Sequence, residues 1–292
     1  MSHGHVVEDR VFGRPEDYPP LPIATKPSTA YDLLSVPVEG ADAAYAMQGT
    51  VNHPPLVFLH GWGASHKFWR WAFTAFAPRY RCLAPDLVGF GLSEKPRREY
   101  SIEAYSRWLG SFLDALRFPR VTLVGHSMGG TIALQFALDH PERVEKLAVV
   151  NPLLQGSTAF GGRIKFLMLP LVRTLAFAAL RSEGLRRRVV RDFSFVGPLD
   201  DELAGDAARA TYQSSTDSML SCMRIDLTGR LASLQVPTLS VGTDHDRVIV
   251  TRQYEWVPAR TKALIPETGH IPIVERPAQF NAILDEFLRG PA

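Results

Sequence analysis

The run Gly125-His126-Ser127-Met128-Gly129 sets a serine between two glycines in the pattern G-x-S-x-G. A serine hydroxyl is a weak nucleophile at its own pKa and needs a base within reach. His270, in a Gly-His turn, is the candidate base. A histidine that takes a proton needs a carboxylate to orient it and to stabilise the imidazolium. The segment Val-Gly-Thr-Asp-His-Asp-Arg at 241–247 offers two, Asp244 and Asp246. A serine, a base and an acid of this kind perform acyl transfer, in which an alkoxide develops at the attacked carbonyl. Backbone N–H groups aimed at that alkoxide contribute about 3–4 kcal/mol each. Met128, the residue after the serine, supplies one by position.

These residues must be held by particular elements. VTLV before the motif reads as a strand, and GGTIALQFAL after it reads as a helix. That strand–turn–helix setting gives the motif its meaning. The sharp turn places Ser127 in a strained backbone conformation, and side chains at 125 and 129 would strike the neighbouring strand and helix. The hydroxyl is left beyond the strand's carboxyl end, at a helix N-terminus where N–H groups face negative charge. His270 follows the strand TKALIPE (261–267) and so falls on the same sheet edge.

The rest of the chain alternates. LLSVPVEGADAAYAMQG (33–49) reads as two strands with a turn near Gly40. PLVFLH (55–60), RCLAPD (81–86), VTLVGH (121–126) and KLAVVN (146–151) read as strands. SHKFWRWAFTAFA (65–77), SIEAYSRWLGSFLDAL (101–116) and MGGTIALQFALDH (128–140) read as helices, with Ser101 as an N-cap. This rhythm predicts an α/β fold, a mostly parallel central sheet with helices on both faces. It breaks at Pro152 and resumes at VPTLSVG (236–242), TKALIPE and the helix PAQFNAILDEFLR (277–289). The expected organisation is an extended arm over 1–30, a core over 31–152 and 232–292, and a helical cap over 153–231. His3 and His5 in the arm have nothing nearby to complete a metal site and read as tail.

Four motifs carry a resemblance. HGWG at 60–63, DLVGFGLS at 86–93, GHSMGG at 125–130 and GHIPIVERP at 269–277 resemble the α/β-hydrolase fold superfamily, most of all its capped serine esterases and lipases. The resemblance spans roughly 33–292, with the insertion matched least. It implies that the second oxyanion donor is the N–H of Trp62. It implies an acid after the strand that follows the cap. Asp246, followed by Arg247, Val248 and Ile249, fits that pattern, while the count from Gly242 is one residue longer than usual and leaves Asp244 open. The alternative acid position in the family falls near Asn151, which holds no charge. The Trp62 ring either walls the acyl site or packs in the core. His60 and His126 read as loop-holding residues. A serine at 127 argues against the aspartate-nucleophile dehalogenases and epoxide hydrolases. The carbon–carbon bond hydrolases of aromatic breakdown usually carry Asn where this chain has His126.

The implied activity is cleavage of a moderately apolar carboxylic ester through an acyl-enzyme. Perhydrolase, haloperoxidase or lyase use of the same residues, and a low-turnover ligand receptor, remain as alternatives. A formal net charge of +2 gives no argument for nucleic acid. With no metal-ligand cluster and no Gly-rich nucleotide loop, neither metal nor cofactor is expected. Cys82 and Cys222 are far apart and point to a reducing compartment. The N-terminus lacks a signal-peptide pattern and no apolar run reaches spanning length, so a soluble cytoplasmic protein is expected. The expected partner is a small ester; oligomeric state is left open. The run 160–191 is apolar, with eight basic residues against one acid. It reads either as an ordinary cap with a solvated basic face or as a lid making weak contact with an anionic membrane surface. Phe160, Phe166, Leu167, Met168, Leu171, Phe177 and Phe193 are candidates to line an acyl pocket, though such stripes are more often core.

Overall fold

A computed structural model describes residues 30–179, 182 and 201–290. The arm with His3 and His5, the basic run's distal part and Phe193 lie outside these residues. Strands β1 (Asp32–Val38) and β2 (Ala41–Gln48) form a hairpin. Glu39 and Gly40 both take positive φ, 50° and 80°, as a two-residue turn between twisted strands requires. Then come β3 (Pro55–Leu59), a 3₁₀ turn at His66–Trp69, α1 (Arg70–Phe76), β4 (Arg81–Pro85), α2 (Ile102–Ala115), β5 (Val121–His126), α3 (Met128–Asp139) and β6 (Val144–Val150). Ser101 caps α2, its side chain accepting from the Ala104 N–H.

The eight strands form one sheet in the order β1-β2-β4-β3-β5-β6-β7-β8, with β7 at Thr238–Thr243 and β8 at Thr261–Ile265. Only the β1–β2 and β2–β4 pairings are antiparallel. The central strands β5, β6 and β7 are buried along almost their whole length on both faces, β7 with Thr238, Ser240 and Thr243 included. One core cluster packs α2 and α3 on one face, through Trp108, Phe112, Ile132 and Phe136. The other packs α1 and α10 (Pro277–Arg289) on the opposite face, through Trp69, Phe73, Phe280 and Leu284. The predicted α/β architecture is the observed one.

Between β6 and β7 the described chain is helical: α4 (Gly156–Ala159), α5 (Gly162–Leu167), α6 (Pro170–Ala179), α7 (Asp201–Asp206) and α8 (Tyr212–Arg224). It is tied to the core by the Val250 N–H, which donates to the Ala159 carbonyl at 2.9 Å, and by side-chain bonds. Glu202 meets Lys67 at 3.0 Å and Arg70 at 3.2 Å, and Ser65 donates to the buried Asp206. Burial pushes the Asp206 carboxyl up, while Ser65, Lys67 and His66 favour its charged form. The short helix α9 (Pro272–Glu275) closes the turn after His270.

Candidate active site

Ser127 sits between the end of β5 and the first residue of α3, at φ 52° and ψ −121°. A positive φ at a non-glycine residue is strain held by its surroundings. The glycines around it are steric necessities. A Cβ at Gly129 would lie 2.3 Å from the Leu59 carbonyl oxygen and 2.5 Å from that of His60. A Cβ at Gly125 would lie 2.3 Å from the Gly129 oxygen. All these obstacles are backbone, so the turn closes only with glycine.

The structure brings Ser127, His270 and Asp246 into one chain of contacts. His270 Nε2 is 2.9 Å from Ser127 Oγ, and His270 Nδ1 is 2.8 Å from Asp246 Oδ2. A carboxylate only accepts, so Nδ1 carries the imidazole proton and Nε2 presents its lone pair to the serine hydroxyl. The side chains of His270 and Asp246 are 5% and 7% exposed, which strengthens their interaction by excluding water. The other Asp246 oxygen accepts from the Val248 and Ile249 N–H groups at 2.8 and 2.9 Å, fixing the carboxylate.

Asp244 faces elsewhere. It accepts from the Glu267 and Thr268 N–H groups at 3.0 and 3.2 Å and pairs with His245 at 2.8 Å. Burial raises its carboxyl, but these hydrogen bonds outweigh that and leave it below the usual range. It braces the loop that leads into His270.

That loop is braced from three further directions. Glu275 accepts from Gly269 N–H at 2.9 Å and Ile271 N–H at 3.0 Å, one on each side of the histidine. The His270 carbonyl receives Asn151 Nδ2 at 3.0 Å and His126 Nε2 at 2.8 Å. His126 reads from sequence as a loop-holding residue and does hold this loop, whereas the sequence does not point to this task for Glu275 or Asn151. Glu275 is visible there only as a letter in GHIPIVERP, and Asn151 only as a residue unable to carry charge. His126 donates through Nε2, so its buried Nδ1 holds a lone pair, and that atom has no hydrogen-bond partner. Burial, then the adjacent His270, pushes its pKa down to about 3, so it stays neutral.

The loop carrying Gly61 and Trp62 lies over this centre. A Cβ at Gly61 would come within 3.2 Å of Ser127 Cβ, so glycine lets the backbone approach Ser127. His60 accepts from Leu87 N–H through Nε2 at 2.9 Å and donates through Nδ1 to the Gly61 oxygen at 2.8 Å. It is a loop-holding residue, as is Asp86, which accepts from His66 N–H, His66 Nδ1 and Leu92 N–H. The Trp62 ring packs against the core cluster. It lines the cavity beside Ser127, and its Nε1 donates to the Ser215 carbonyl of α8 at 2.9 Å. Met128, fully buried, opens α3 directly after the serine.

Apolar side chains wall the cavity, including Phe68, Leu153, Leu203 and Ile249, and no Asp, Glu, Lys or Arg is among its described lining residues. Of the seven apolar candidates for pocket lining, only Phe160 reaches it among the described residues. Phe166, Leu167 and Leu171 are 59%, 40% and 78% exposed, and Phe177 packs edge-on against Tyr212. A helical stripe does not reveal which way its helix turns. Cys222 also lines the cavity; burial pushes its thiol up to about 12, which leaves it inert as a nucleophile. Both cysteines are free and buried.

A family model described as alpha/beta hydrolase fold matches residues 54–161, the segment carrying the Gly61–Trp62 loop and the Ser127 turn. A second, described as putative esterase, matches 108–217. A solved structure of a membrane phospholipase A superposes with a TM-score of 0.75 at 28% identity, over 89% of this chain and 87% of that one. The chain has the α/β-hydrolase fold. Among curated relatives, epoxide hydrolase 3 of Xenopus tropicalis is 28% identical over 84% of this chain and 74% of its own length. The pimeloyl-[acyl-carrier protein] methyl ester esterase of Aeromonas hydrophila is 28% identical over 80% of this chain and 95% of its own. Together these relatives support a hydrolase. Within the described residues no group of three or more His, Cys, Asp or Glu is placed to hold a metal, and no helix is long and apolar enough to cross a membrane.

Proposed function

We propose that this chain is a serine esterase that cleaves a moderately apolar carboxylic ester through an acyl-enzyme. The observation that carries the reading is the 2.9 Å approach of His270 Nε2 to Ser127 Oγ, with Asp246 at 2.8 Å behind the ring. In the proposed cycle His270 takes the hydroxyl proton as Ser127 Oγ attacks the ester carbonyl. The backbone N–H groups of Trp62 and Met128 meet the developing oxyanion. The imidazolium returns its proton to the departing alcohol, and a water repeats the sequence on the acyl-serine. The serine at 127 favours the esterase relative over the epoxide hydrolase as a guide, because the latter chemistry on this fold uses an aspartate nucleophile. The helices between β6 and β7 act as a cap over the cavity.

The test is hydrolysis of chromogenic esters together with fluorophosphonate labelling. Ser127→Ala should lose on the order of 10⁶ in kcat and all labelling. Retained hydrolysis in that variant would overturn the reading.

A weak contact of the cap with an anionic membrane surface is proposed alongside it. Leu169, Leu171 and Leu175 on or beside α6 are 51%, 78% and 66% exposed, in a stretch of sequence rich in Lys and Arg. The chain should co-sediment with phosphatidylserine vesicles at low salt, and Leu171→Glu should weaken it. Equal recovery in the supernatant with and without vesicles sinks this contact.

A further inference from the structure

The cavity beside Ser127 is small, and one of its walls is tied down. It measures about 80 Å³. A dry cavity of about 150 Å³ holds a benzene ring of six carbons, so this one holds roughly three. Helix α8 forms part of the wall through Met219 and Cys222. A wall on a mobile lid could retreat, but α8 is tied to the core along its length. Gln213 Nε2 donates to the Arg98 carbonyl at 3.0 Å, and Ser214 Oγ to that of Gly89 at 2.8 Å. The Ser215 carbonyl accepts from Trp62 Nε1 at 2.9 Å, and Ser221 Oγ accepts from Ile102 N–H at 2.9 Å. Beneath its C-terminal end there is no slack: a Cβ on Gly156 would lie 2.0 Å from the Cys222 oxygen.

Resting on the esterase reading, we infer that this site selects esters of short, uncharged acyl groups, about two to four carbons long, and that Met219 is the residue that sets the limit. The lining carries no charged group, among the described residues, to receive a carboxylate or phosphate on the acyl chain. Met219 is the adjustable part of the wall. Its side chain is flexible and only partly buried, whereas Cys222 is short and 3% exposed. Truncating Met219 opens space without touching Ser127, His270, Asp246 or the oxyanion loop.

The experiment compares kcat/KM for p-nitrophenyl acetate, butyrate and octanoate in the wild type and Met219→Ala. The wild type should prefer butyrate over octanoate at least tenfold. Met219→Ala should reduce that ratio severalfold by raising the octanoate rate. Wild-type octanoate turnover equal to that of butyrate overturns the size limit, and so does an unchanged ratio in Met219→Ala. Labelling of Ser127 by methyl and dodecyl alkyl fluorophosphonates reads the same limit without ester turnover. Rapid labelling that ignores chain length removes the size limit and leaves the esterase reading standing. Neither labelling nor hydrolysis with any chain length removes the esterase reading itself.

Discussion

Asp244 and Asp246 stand two residues apart in one loop, and the fold gives them different partners. Asp246 meets His270 Nδ1 at 2.8 Å, while Asp244 accepts backbone N–H groups from Glu267 and Thr268. Asparagine at 246 could turn its amide toward Nδ1 and force the ring into the wrong tautomer. Asp246→Asn should therefore lose roughly 10³–10⁴ in kcat with little change in KM. Asp244→Asn keeps an acceptor oxygen for the loop and should lose roughly tenfold or less. Steady-state kinetics on both variants decides it, and a larger loss at 244 would move the acid there. Sequence places both aspartates in the right loop. It leaves the choice open because one added residue changes which side chain turns inward, and only the path of the backbone settles that.

At the scale of the element, the turn at Ser127 is a packing problem solved by glycine. Gly129 lies where Leu59 and His60 carbonyls leave no room for a methyl group. Gly229, in the 3₁₀ turn Thr228–Ser233, would carry a methyl group into open space, with nothing within 4 Å. Gly129→Ala should destabilise the protein by about 1–3 kcal/mol or more and displace Ser127, abolishing most activity. Gly229→Ala should stay within about 0.5 kcal/mol of wild type. Urea midpoints and ester hydrolysis measure both, and a Gly129→Ala variant with wild-type behaviour would show the turn is not sterically closed. The strand–turn–helix sequence predicts this element well because its determinants are local: an apolar run, glycines at a bend, then helix formers. The helices between β6 and β7 are less legible. Their apolar residues follow helical spacing, yet Phe166, Leu167 and Leu171 face outward and Phe160 reaches the cavity.

For the whole molecule, the buried histidines couple folding to pH. His126 is buried with its pKa pushed down to about 3, and burial lowers His60 as well. In the unfolded chain both titrate near the ordinary histidine value of about 6.5. Below that value the unfolded state binds protons that the folded state refuses, so the stability contribution is full above about pH 6.5 and falls as pH drops toward the folded value. One such group costs about 1.4 kcal/mol per pH unit inside that window. His126→Gln retains an N–H donor for the His270 carbonyl but cannot titrate. Its urea-unfolding free energy between about pH 4 and 6 should fall less steeply than that of wild type, by about one proton. Identical slopes in the two proteins would remove His126 as the source.

The amino-acid sequence by itself determined the strand–helix rhythm, the serine between its glycines and the histidine in the turn after the last strand. Those features follow from local periodicity and turn chemistry, which nearby residues set. The tertiary structure alone decided which aspartate meets His270, and that Glu275, Asn151 and His126 hold its backbone. It also decided how much space lies beside Ser127. Each of these depends on loops from distant parts of the chain converging at one sheet edge, where a shift of one residue or one helix rotation exchanges one neighbour for another.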